Sequence, residues 1–116
     1  MGRRNPTWSR EELILALDLY FKLGCSKFSS SHPEVIALSE LLNKLSIHKD
    51  RPDAATFRNP NGVSMKLSNF LRLDPSYTGT GLERGGKLEE SIWDEFATDR
   101  QKLSRAAQKV RASIAD

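Results

Sequence analysis

Thr56-Phe57-Arg58-Asn59-Pro60-Asn61-Gly62-Val63-Ser64-Met65-Lys66-Leu67-Ser68-Asn69-Phe70-Leu71-Arg72-Leu73-Asp74-Pro75 reads as a polar cap followed by a short amphipathic helix. On an ideal helix Val63, Leu67, Phe70 and Leu71 fall on one side, which must face a core. The opposite side carries Asn61, Met65, Ser68, Asn69 and Arg72, with Lys66 on the flank. Asn59 or Asn61 can cap this helix, and Asp74-Pro75 ends it. Behind it, Ser76 to Lys87 holds four glycines, a tyrosine, Arg84 and Lys87. That stretch is too poor in apolar residues for a buried element, and a loop or two-stranded hairpin over residues 76–88 fits it.

The segments upstream supply what the short helix packs against. Ser9 stands three residues before Glu12 as a capping box, and Trp8 can staple onto Leu13. Leu13, Ile14, Ala16, Leu17, Tyr20 and Phe21 then recur at helical spacing up to a stop at Gly24. Ser31-His32-Pro33-Glu34 opens a second helix, with proline in its first turn and a stripe of Val35, Ile36, Leu38, Leu41, Leu42 and Leu45. From Ser46 to Asn61 there is no periodicity, and Pro52 and Pro60 argue for an irregular loop. Downstream, Ile92, Trp93 and Phe96 mark a fourth helix. Asp99 caps a fifth, whose stripe is Leu103, Ala106, Ala107, Val110 and Ile114. The expected architecture is mainly α, a single five-helix domain over residues 1–116, with the helix order and glycine-bearing loop of a winged helix-turn-helix. The last helix has no stop signal, which points to a chain that continues in a longer protein.

Composition narrows the function classes. With 116 residues, 38% of them hydrophobic and 28% charged, the chain is long enough for one core and too apolar for a disordered segment. No apolar run approaches the roughly 20 residues of a membrane span, and no hydrophobic segment follows Arg3-Arg4 to make a signal peptide. A cytoplasmic protein without a membrane partner is expected. The lone Cys25 excludes an internal disulfide and a Cys-rich metal site, and reads as a small buried hydrophobe. His32 and His48 are too few for the metal cluster of a ββα nuclease. Glu11, Glu12, Glu89 and Glu90 stand at helix starts, where the helix dipole favours negative charge. Gly79-Thr80-Gly81 and Gly85-Gly86 lack the Gly-Lys-Ser/Thr that a phosphate loop requires. Neither a cofactor nor a catalytic set is expected in this chain.

The net charge of +3 is unevenly placed: seven basic residues face six acidic ones up to residue 50, six face three over 51–88, and five face six from 89 on. The surplus therefore sits in the middle, on the short helix and its flanking loops. Asparagine presents a donor and an acceptor side by side, matching the N6 and N7 edge of adenine, while arginine matches guanine O6 and N7. Lysine and arginine also hold phosphates, which position a protein without reading sequence. The candidate DNA-contacting residues are accordingly Arg58, Asn59, Asn61, Ser64, Lys66, Ser68, Asn69, Arg72, Arg84 and Lys87. Of these, Arg58, Lys66, Arg84 and Lys87 are expected on phosphates, and Asn61, Ser68, Asn69 and Arg72 nearest the bases. Two other readings use the same residues. The asparagines can be caps alone, and the helix can be a protein-interaction or dimerisation surface with Met65 buried in it.

The phrases Phe57-Arg58-Asn59-Pro60-Asn61-Gly62-Val63, Lys66-Leu67, Asn69-Phe70 and Leu73-Asp74-Pro75 resemble the N-terminal region of McrA-like, modification-dependent HNH restriction endonucleases from bacteria. Trp8 to Tyr20, Ala37 to Leu42, Gly81-Leu82, Arg84-Gly85-Gly86 and Trp93-Asp94-Glu95-Phe96 extend the likeness over nearly the whole chain. The resemblance implies a module that binds double-stranded DNA, followed in the same protein by a modified-base reader of the SET-and-RING-associated type and an HNH nuclease. Cleavage would then lie outside this chain, and no residue here specifies a methyl group.

Overall fold

A computed structural model describes residues 7–23, 29–44, 57–74 and 87–115, excluding the side chains of Arg72, Ile114 and Ala115. Cys25, Leu45, His48 and Arg84 lie outside the described residues, as does 76–86 of the expected hairpin. Five α-helices and one 3-10 turn make up the described chain: α1 (Arg10–Leu23), α2 (Pro33–Lys44), α3 (Pro60–Asn69), the turn Leu71–Leu73, α4 (Lys87–Phe96) and α5 (Arg100–Ala115). No strand occurs among the described residues. None of these helices is long and apolar enough to cross a membrane.

α1 is the central element, packed against α2, α3, α4 and α5, while α2 also meets α3 and α4 meets α5. Its start is the expected capping box, with the Ser9 N–H donating to Glu12 Oε1 at 2.9 Å and the Glu12 N–H to Ser9 Oγ at 3.3 Å. Because four helices cover it, α1 is buried on every side from Glu12 to Tyr20. Leu15 and Leu19, off the expected stripe, are as buried as Leu13 and Leu17. The others show one apolar side each: Val35, Leu38 and Leu42 on α2, Val63 and Leu67 on α3, Ile92 and Phe96 on α4, Leu103, Ala107 and Val110 on α5. Ile36 departs from the stripe expected of α2. It is 39% exposed, because α2 is covered only on the sides that meet α1 and α3.

An aromatic cluster joins α1 and α4 to the segment after α3. Tyr20 lies 5.9 Å from Phe70 and 6.0 Å from Trp93 between ring centroids, and Phe70 stacks on Trp93 at 6.3 Å. The buried Tyr20 hydroxyl donates to Asp74 Oδ2 at 2.7 Å, which satisfies the polar tip of an otherwise apolar side chain. α5 opens at Asp99, whose Oδ1 accepts the Lys102 N–H at 3.0 Å. Arg10 on α1 and Glu95 on α4 form a two-pronged bridge at 2.6 and 2.7 Å. Each holds the other in its charged form, the Arg10 guanidinium above its ordinary pKa and the Glu95 carboxyl below its own, chiefly through these hydrogen bonds.

One ion pair is of a different kind. Arg58 Nε donates to Glu12 Oε2 at 2.6 Å and Nη2 to Glu12 Oε1 at 2.9 Å, with side chains only 4% and 1% exposed. The guanidinium lies 4.9 Å from the Trp8 ring centroid and 4.4 Å from that of Phe57, and donates a further bond to the Thr7 carbonyl at 3.2 Å. Arg58 takes a positive φ of 47°, a left-handed conformation that costs a non-glycine residue about 1–2 kcal/mol. Its carbonyl accepts from the Ser39 hydroxyl at 2.6 Å. The residue thus pins α2, the entry to α3 and the start of α1 to one another.

Candidate nucleic-acid interface

α3 begins where Arg58 leaves the chain. Asn59 has extended backbone angles, its Oδ1 accepts the Gly62 N–H at 2.7 Å, its carbonyl accepts the Val63 N–H at 2.9 Å, and Pro60 occupies the first turn. This is an N-cap followed by proline. Gly62 suits that geometry, since a Cβ there would come within 3.1 Å of Asn59 Oδ1. Val63, Leu67, Phe70 and Leu71 are buried as the helical projection requires. Asn61 and Met65 stand exposed on the other side, Met65 at 62%, with Ser64, Ser68 and Asn69 half-buried beside them. Asn61 Nδ2 approaches Met65 Sδ at 3.9 Å, a weak contact, and Ser68 Oγ donates back to the Ser64 carbonyl at 3.1 Å.

The expected phosphate ligands fare differently. Arg58 is 6% exposed and committed to Glu12. Pulling a buried guanidinium away from its carboxylate would leave that carboxylate uncompensated, so Arg58 leaves the set and becomes part of the framework. Asn59 spends its amide oxygen on the cap. Lys66 bridges to Glu89 on α4, Nζ to Oε1 2.6 Å, and lies 5.5 Å from the centroid of the Trp8 ring. Lys87 does not belong to a hairpin. It is the exposed first residue of α4, which opens with Lys87 and Leu88 and carries Glu89 and Glu90 in its first turn. Arg72 stands in the turn after α3, with its side chain outside the described set.

Three of the candidates are brought together. Lys66, Asn69 and Lys87 line a cleft of 470 Å³ between α3 and α4, with Trp8, Leu88 and Glu89. Its described lining carries one carboxylate against two ammonium groups. Trp8 and Glu89 are the residues missed here. Trp8 was readable as a helix staple but also serves as the aromatic wall between Arg58 and Lys66. Glu89 was readable as a dipole-favoured acid but is only 4% exposed. A buried carboxylate needs a partner, and Lys66, on the flank of α3, is the cation that meets it.

His32 acts as a helix-start residue, its Nδ1 accepting the Glu34 N–H at 3.1 Å. Among the described residues no group of three or more His, Cys, Asp or Glu side chains is gathered to hold a metal ion. Compared with known proteins, the chain matches no family model, no curated protein and no solved structure.

Proposed function

We propose that this chain is a DNA-binding module that lays α3 in or over a groove of duplex DNA. The observation that carries the reading is the make-up of the outward side of α3. Asn61, Ser64, Met65, Ser68 and Asn69 stand outside the core, and no carboxylate occurs between Phe57 and Leu73. A helix without acidic residues approaches phosphates without repulsion, and its amides can pair with base edges. Asn61 and Asn69 sit four residues either side of Met65, so one row of the helix carries amide, thioether and amide.

Asn61, Ser64, Ser68 and Asn69 face the bases in this reading, and Arg84 and Lys87 contact the backbone. By its resemblance the module is the N-terminal recognition part of a modification-dependent HNH restriction endonuclease, with reader and nuclease supplied by other domains. A protein-interaction surface fits the same helix less well. Exposed Met65 is ringed by polar side chains rather than by the apolar patch such an interface is built on.

The double variant Asn61→Ala/Asn69→Ala tests the assignment. Each amide that reads a base is expected to be worth about tenfold or more in affinity for a preferred duplex, while thermal stability stays within about 0.5 kcal/mol, as for other surface changes. Fluorescence anisotropy with labelled duplexes measures the first and thermal melting the second. Unchanged affinity would remove α3 as the reading helix.

A further inference from the structure

A DNA-binding reading needs phosphate contacts, and two of the cations expected to make them, Arg58 and Lys66, are engaged in ion pairs inside the fold. The cations stand elsewhere. From Arg100 to Ala115 the chain holds five basic residues and no acidic one, a bias hidden when α5 is averaged with the acidic α4 before it. Leu103, Ala107 and Val110 bury the inner side of α5. Lys102, Arg105 and Lys109 form one exposed stripe on the outer side, flanked by exposed Gln101 and Gln108.

The flanking cations Arg100 and Arg111, and Lys102 within the stripe, are partly engaged. Arg100 packs over the Phe21 ring at 3.7 Å, Lys102 reaches Glu95 only at 3.7 Å, and Arg111 reaches Asp18 at 3.7 Å. Arg105 and Lys109 have no ion-pair partner among the described residues. They stand four apart on one helix face, where like charges repel each other. The free protein gains nothing from that repulsion, and a polyanion would relieve it.

We propose that the outer face of α5 is a docking surface for the phosphate backbone of duplex DNA, supplying sequence-independent contacts. The proposal rests on the DNA-binding reading above. From Lys102 to Lys109 the helix rises about 10 Å, the axial rise of roughly three phosphates of one strand. Gln101 and Gln108 add donors suited to phosphate and sugar oxygens. A lipid surface is a poorer fit, because an interfacial helix presents apolar residues to the bilayer, and the apolar side of α5 is turned inward against α1.

The test is a salt series of duplex binding by the whole chain, comparing the wild type with Arg105→Gln/Lys109→Gln. Loss of two phosphate contacts makes the slope of log K against log salt shallower by about 1.8. The melting temperature of the free variant stays level or rises, since repulsion is removed; a role in holding the fold would lower it. An unchanged slope, in a wild type that binds duplex, overturns the α5 surface and leaves the α3 reading standing. A wild type that binds no duplex overturns both. If it binds vesicles containing phosphatidylserine instead, and the variant does not, the α5 face belongs to a lipid and the proposal is wrong.

Discussion

Arg58→Met is expected to destabilise the fold by about 3–5 kcal/mol, the cost of stranding one partner of a buried ion pair. The stranded group is Glu12, whose side chain is 1% exposed and which also belongs to the capping box of α1. For a domain whose total stability is on the order of 5–15 kcal/mol, that is a large fraction. Urea denaturation of the single variants and of Glu12→Gln/Arg58→Met gives the decisive pattern. The double variant recovers part of the loss, because neither charge is then left alone. An Arg58→Met protein as stable as the wild type would mean that the guanidinium is in solvent, and would return it to the phosphate-binding set.

Phe70→Ala is expected to cost about 3–5 kcal/mol through the cavity it leaves. Phe70 is fully buried and touches Tyr20 and Trp93 across the aromatic cluster. It also closes α3, its N–H donating to the Leu67 carbonyl at 3.1 Å. The substitution loosens the seat of the reading helix together with the core, so duplex affinity falls with stability. Phe70→Leu keeps most of the volume and is expected to lose less than half as much, an outcome that thermal melting of the two variants side by side would check. Equal losses would show that ring stacking, not volume, holds the site.

Local signals were legible from the sequence, and pairings distant along the chain were not. The capping box of Ser9 and Glu12, the cap at Asp99 and the two sides of α3 follow from spacing alone, because each depends on residues within a turn or two of one another. Arg58 shows the limit. A cation beside an asparagine looks like a phosphate ligand until the fold brings Glu12, 46 residues earlier, to within 2.6 Å. Lys66 and Glu89 repeat the case across 23 residues. Ile36 lies on a stripe that projection assigns to the core, yet exposure depends on how many helices cover α2, which periodicity does not encode. The same cause, acting in the opposite sense, buries Leu15 and Leu19 on α1. The basic face of α5 was visible in principle. Cutting the charge count at Asp99 rather than at residue 88 separates it from the acids of α4.

The outward side of α3 is the centre of this account, and protein-observed NMR tests it most directly. Titrating duplex DNA into the isotope-labelled chain should shift the backbone amides of Asn61, Ser64, Met65, Ser68 and Asn69 and the side-chain amides of Asn61 and Asn69. Ser39, buried beneath Arg58, should stay still. Saturable binding that leaves every one of those α3 signals unmoved would contradict the account.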